Sequence, residues 1–157
     1  MTNRKLRSAL RSPLLALVLV AVFAGTAVAT TASGFAATLL SRVTMSEPVH
    51  YNTGAVKFQT KAAVDVATAT VTVLPGGTSG WHSHPGIVIV SVKTGSITFY
   101  DQTCVGTVHG AGTAFIEAAG SGPGMARNES ATDNAVLYVT YVVPTGAGLR
   151  DTEDSPC

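Results

Sequence analysis

Gly76-Gly77-Thr78-Ser79-Gly80-Trp81-His82-Ser83-His84-Pro85-Gly86, running on through Ile87-Val88-Ile89-Val90 to Gly95, is the stretch that decides how this chain is read. Successive side chains on a strand point to opposite faces, so His82 and His84 share one face, and Val88 joins them if the strand stays regular. Two imidazoles at that spacing can hold one divalent metal ion. The plainer reading is a pair of rings hydrogen-bonded to each other, to water and to backbone inside a barrel. On the same alternation Trp81 faces away from the pair and reads as packing. Ile87–Val92 is a short continuous apolar run, as in a strand buried on both faces, and Gly95 permits the turn that follows.

The neighbouring segments are also β in character. Val64–Leu74 reads VDVATATVTVL, a β-branched alternation that predicts a strand, and Pro75-Gly76-Gly77 is expected to end it. Ser96–Tyr100 alternates again, Asp101–Gly112 reads as a loop, Thr113–Glu117 as a short strand, and Ala118–Gly124 as a glycine-rich loop. Ala135–Val143 (AVLYVTYVV) predicts a long strand ended by Pro144. Residues 30–61 are mixed and weakly patterned, with an edge strand expected around Val56–Gln59. Composition agrees: 16 glycines, 46% hydrophobic and 12% charged residues exclude a disordered chain or a coiled coil. Six or more short strands and no long amphipathic helix imply an all-β sandwich or barrel.

These residues resemble the first motif of the cupin family: Gly76, His82, His84 and Gly95 fall at its spacing. The second motif aligns more loosely through Gly112, Gly120 and Asn128, with Ala118 where a proline is usual. The resemblance spans Val64–Val143. It implies a single cupin jelly-roll barrel with a metal held by three histidines and one glutamate. Two of those positions depart from the pattern: Val88 stands at the glutamate and Gly124, beside Met125, at the third histidine. His109 and Glu117 are the residues that could substitute, although a surface-loop histidine and a solvent-facing glutamate are the commoner fates of such residues. His50 reads as a surface residue, and Arg127 and Asn128 as either pocket supports or an ordinary turn. The wording Gly-Trp-His-Ser-His-Pro-Gly with a late cysteine also resembles a group of short exported bacterial cupins.

The N-terminus fits export. Arg4, Lys5, Arg7 and Arg11 precede an apolar run over Leu14–Ala24, and Ala27-Val28-Ala29 has the small-x-small pattern of a cleavage site. Residues 1–29 are therefore expected to be a secretory signal helix, 30–61 an N-terminal segment and edge strand, 62–144 the barrel, and 145–157 a tail. Beyond residue 29 the chain carries six basic and nine acidic residues, which gives no electrostatic reason to bind nucleic acid. Two cysteines, Cys104 and Cys157, suit a disulfide in an oxidising compartment, tying the tail to the barrel.

The expected function is that of an exported protein, secreted or held in the cell envelope. Its histidine-bearing pocket would bind a small molecule, either with one divalent transition metal (Fe, Mn, Zn, Ni or Cu) or with no cofactor. The alternatives are a metal-dependent cupin enzyme of dioxygenase or isomerase type and a non-catalytic envelope scaffold. A homodimer is expected, and membrane contact only through an uncleaved signal segment.

Overall fold

The alternation read at Val64–Leu74 is realised as a strand with one dry face: Ala67, Ala69, Val71 and Val73 are at most 3% exposed. It belongs to an all-β chain, described for residues 30–157 by a computed structural model. The expected signal segment, 1–29, lies outside the described residues. The strands are β1 (Ser33–Met45), β2 (His50–Asn52), β3 (Lys57–Gln59), β4 (Val64–Thr78), β5 (His82–Ser83) and β6 (Ile87–Thr94). They continue as β7 (Ser96–Tyr100), β8 (Gly106–Gly110), β9 (Ala114–Ala118), β10 (Met125–Arg127), β11 (Ala135–Pro144) and β12 (Asp151–Thr152).

One antiparallel sheet runs β8-β7-β10-β4-β11-β6-β9, with β1 also paired to β4. β4 joins the two halves: Val64–Val73 pair with β11, while Thr78 pairs with Arg127 of β10. The sheet curls round β4 into a nearly closed barrel. Val71, Val73, Val88, Val90, Val92, Ile97 and Leu137 form its core, with Phe35, Phe99, Phe115 and Tyr141 packed against them. Each inward position is an alternate residue of its strand, as a one-sided sheet requires.

Pro75-Gly76-Gly77 does not end the strand as expected. β4 runs through it to Thr78. Gly76 takes a positive φ of 69°, open to glycine at no steric cost, and a side chain on Gly77 would meet the Gly34 carbonyl oxygen at 2.6 Å. The segment is a bend that carries one strand from one half of the barrel into the other.

Three further expectations are corrected. Ile87–Val92 is not buried on both faces: Val88 and Val90 are at most 2% exposed, but Ile87 and Ile89 are 47% and 41% exposed. An antiparallel barrel has helices on neither face, so its outer side is wet. The weakly patterned N-terminal part contains the 13-residue β1, an edge strand exposed along most of its length, which is why it lacks a clean alternation. Lys57–Gln59 instead forms a small hairpin with β2. The expected loop 101–112 contains β8, paired with β7 from Tyr100↔Gly106 to Ser96↔Gly110.

Two devices secure the ends. Asp65 accepts hydrogen bonds from Gly146 N at 3.0 Å, Thr44 Oγ1 at 2.7 Å and the Arg42 guanidinium at 2.7 and 2.9 Å. The Gly146 amide, Thr44 and Arg42 hold its carboxyl down at about 2. The C-terminal segment crosses the barrel mouth. β12 pairs with β5, Glu153 N donates to Trp81 O at 3.0 Å, and Ser83 Oγ donates to Glu153 at 2.6 Å. Cys104 and Cys157 lie at disulfide distance, Cα atoms 6.2 Å apart.

Candidate metal centre

His82 sits on β5 and His84 just beyond it, where the chain turns at Pro85-Gly86 into β6. The two rings do converge on the cavity, centroids 4.8 Å apart and perpendicular. A third group meets them. Glu117, on β9, brings Oε2 to 3.1 Å from His84 Nε2 and 3.4 Å from His82 Nε2. One ligand atom from each residue lies within 4.8 Å of the others.

The source of that carboxylate explains why the sequence left it uncertain. Register pairs Val88 of β6 with Glu117 of β9. Directly opposed residues of an antiparallel pair project from the same face of the sheet. The carboxylate that the cupin pattern places at residue 88 is thus supplied by its cross-strand neighbour, and Val88 itself is buried beside it. The solvent-facing reading of Glu117 is corrected, since the residue is 9% exposed.

Backbone carbonyls orient both rings. His82 Nδ1 lies 3.0 Å from Gly80 O, and His84 Nδ1 lies 2.6 Å from Leu149 O. A carbonyl can only accept, so each Nδ1 carries a proton and donates. Ser79 Oγ, 3.3 Å from His82 Nδ1, braces the same ring. The Nε2 atoms of both rings then face the Glu117 carboxylate. Burial alone pushes the Glu117 carboxyl up, but the two imidazoles outweigh it and hold the group well below the usual carboxylate range, at about 2. With each Nδ1 proton committed to a carbonyl, that hold on the carboxylate needs a positive charge on the Nε2 side. Either an extra proton or a metal ion meets that demand. Two imidazole nitrogens and one carboxylate, each ring fixed through its far nitrogen, are a donor set suited to a divalent transition ion.

Position 124, where the resemblance implies a third histidine, is closed. Gly124 exchanges both backbone hydrogen bonds with His82, each 2.9 Å long, and any Cβ on it would collide with the Phe99 ring. An aromatic ring fills what would be a ligand's space. His109 does not substitute. It lies on β8, not on a loop, and stacks on Phe115 with centroids 4.1 Å apart, apart from the cluster. His50 is exposed on β2. Arg127 is exposed and pairs with Glu129 at 3.2 Å. Asn128 is fully buried but structural, donating to Val73 O at 3.0 Å and Asp133 O at 2.7 Å. Trp81 is buried at 4% exposure and does not line the cavity.

The cavity itself measures about 240 Å³. His82, His84, Glu117, Tyr141 and Arg150 supply its polar lining, and Val71, Val88, Leu137 and Val139 much of its apolar wall. Burial and the Glu117 charge push the Tyr141 hydroxyl up, so it stays protonated. Sequence reasoning missed Tyr141 and Arg150. Tyr141 is one position of an alternating strand, and Arg150 lies within a tail without periodicity, so neither carried a local signal.

No family model and no curated protein sequence matches the chain. Solved structures do. A protein with a double-stranded β-helix domain from Klebsiella pneumoniae aligns over 70% of this chain and 87% of its own, at 20% identity and a TM-score of 0.50. A cupin-like protein from Thermotoga maritima aligns over 59% of this chain and 67% of its own, at 17% identity and a TM-score of 0.50. At such identities the likeness is one of fold: the barrel is a cupin-type double-stranded β-helix.

Proposed function

We propose that this protein is an exported cupin that holds one divalent transition metal ion on His82, His84 and Glu117 and binds a small molecule in the cavity before it. The observation that carries the reading is the convergence of two Nε2 atoms and one buried carboxylate, with both Nδ1 atoms committed to backbone carbonyls. Two histidines and one carboxylate are the donor set of mononuclear non-haem iron sites, in which further coordination positions stay open. When bound, such an ion supplies Lewis acidity and a point of attachment for a ligand oxygen. The chain's own residues do the rest. Gly80 and Leu149 fix the rings, Val71, Leu137 and Val139 exclude water, and Tyr141 offers a hydroxyl to a ligand. Export is supported by the basic start, the apolar run and the Ala27-Val28-Ala29 pattern, together with the cysteine pair at disulfide distance.

The test is calorimetric titration of purified, chelator-stripped protein with Mn(II) and Zn(II). One ion per chain is expected. Replacement of both histidines by alanine should abolish it. No uptake, or uptake unaffected by those changes, overturns the reading. An enzymatic role rests on the same site, because a three-donor ion leaves positions free for substrate. Turnover that depends on the added ion and vanishes in Glu117→Gln would establish it.

A further inference from the structure

We propose that the ligand of this cavity is a small carboxylic acid, bound as its anion by Arg150. This deepens the reading above, since it names what occupies the same cavity, but it stands on different residues.

Arg150 lines the cavity together with the histidine–glutamate cluster. One guanidinium nitrogen donates to Ser79 O at 3.1 Å, which anchors the fork. Its Nε is buried and has no hydrogen-bond partner, the sole such side-chain atom among the described residues. Leaving a buried charged donor unmade costs more than an ordinary hydrogen bond contributes, so the guanidinium is left short of acceptors by the protein itself. Nor is Arg150 neutralised from within: among the described residues it forms no ion pair, because Glu117 is engaged by His82 and His84. A divalent ion on that cluster would leave the cavity with still more positive charge. Both sites therefore call for an anion.

The shape of the donor and of the cavity selects the kind of anion. A guanidinium presents parallel N–H groups that match the two oxygens of a carboxylate. The cavity of about 240 Å³ has room for roughly eight atoms of water size at ~30 Å³ each. Its walls of Val71, Leu137 and Val139 suit a short hydrocarbon body and offer nothing to the outer oxygens of a tetrahedral anion. The position in the chain is also apt. Arg150 lies between Leu149, which orients His84, and β12, which pairs with β5 beside His82. One stretch of tail thus positions the metal cluster and the anion donor together.

The probes are propionate, lactate, the neutral isostere propionamide, and inorganic phosphate. Each is titrated calorimetrically into the purified protein, once loaded with Mn(II) and once stripped with chelator. Propionate and lactate should bind, and propionamide about tenfold or more weakly. Arg150→Gln should erase that preference while leaving Mn(II) stoichiometry intact, and Arg150→Lys, which keeps the charge but loses the fork, should fall between. Melting curves check that the variants fold. If Arg150→Gln does not, the wild-type ratio of propionate to propionamide and the Lys variant decide. Equal binding of acid and amide, phosphate binding as tightly as propionate, or a preference that survives in Arg150→Gln overturns the proposal. Arg150-dependent selectivity in a protein that never takes up metal would sink the metal reading and leave this one standing. Uptake of one ion with no acid preference would do the reverse.

Discussion

The two walls of the cavity keep their shape by different means. On one wall, backbone carbonyls fix the far nitrogens of His82 and His84, and the near nitrogens converge with the Glu117 carboxylate on one point. On the other, Gly124 and Phe99 form a purely steric closure, where a missing side chain makes room for a ring. The cupin pattern is kept on the first wall and lost on the second. The difference teaches that a ligand position in a barrel belongs to a face and not to a residue number. Val88 stands where the motif has a carboxylate, and Glu117 lies directly across the strand pair from it. At Gly124 the Phe99 ring occupies the space a side chain would need.

The comparison can be broken most severely at the strand pair. Glu117→Val alone should lower Mn(II) affinity about a thousandfold, since a donor's share of a metal site's ~10–16 kcal/mol is several kcal/mol. Adding Val88→Glu should restore much of it by returning the carboxylate to the other strand. Restoration is read by calorimetry. A double variant no better than the single one would show that the two positions do not share a face in solution.

Next in size is the tail that braces the polar wall. Cys157→Ser opens a loop with a sequence separation of 53, worth up to about 4 kcal/mol in the chain-entropy model. The expected loss, read by chemical denaturation, is about 2–4 kcal/mol. Metal affinity should fall with it, because the same tail presents Leu149 to His84. Unchanged stability would show that the cysteines do not bridge.

The steric wall is sharpened by a cycle. Gly124→Ala should cost about 1–3 kcal/mol by overpacking against Phe99. Phe99→Ala should relieve most of that cost, leaving a coupling energy that melting curves can read. Additive losses would mean that the ring does not close that space.

Smallest is the Asp65 clamp, remote from the cavity. Its carboxyl is held at about 2, against an unfolded value of about 3.9. A depressed native pKa contributes stability above the unfolded value, and this is lost as pH falls through the native one. Wild-type stability should therefore drop between about pH 4 and 2, and Asp65→Asn should make that drop shallower, the Glu117 contribution remaining. A profile identical in the variant would remove Asp65 from the account.

Much of the fold was readable, and the reasons are local. Val64–Val73 and Ala135–Val143 alternate because each has one dry face. His-x-His shares a face because a strand has a period of two. What escaped is non-local. Exposed on most of its length, β1 bears no pattern. Pro75-Gly76-Gly77 has turn chemistry, yet a sheet that curls uses it as a bend inside a strand. Glu117 was visible as a candidate, but its partnership with Val88 depends on register between strands, which no single segment encodes. Arg150 and Tyr141 enter the cavity only once the tail and β11 are in place.

The most direct measurement is anomalous diffraction from crystals of the protein grown with Mn(II), Fe(II) or Zn(II). The account predicts a single peak per chain among His82 Nε2, His84 Nε2 and a Glu117 carboxylate oxygen, at about 2.0–2.2 Å from each for zinc. A peak at His109, or none in the cavity at saturating metal, would contradict it.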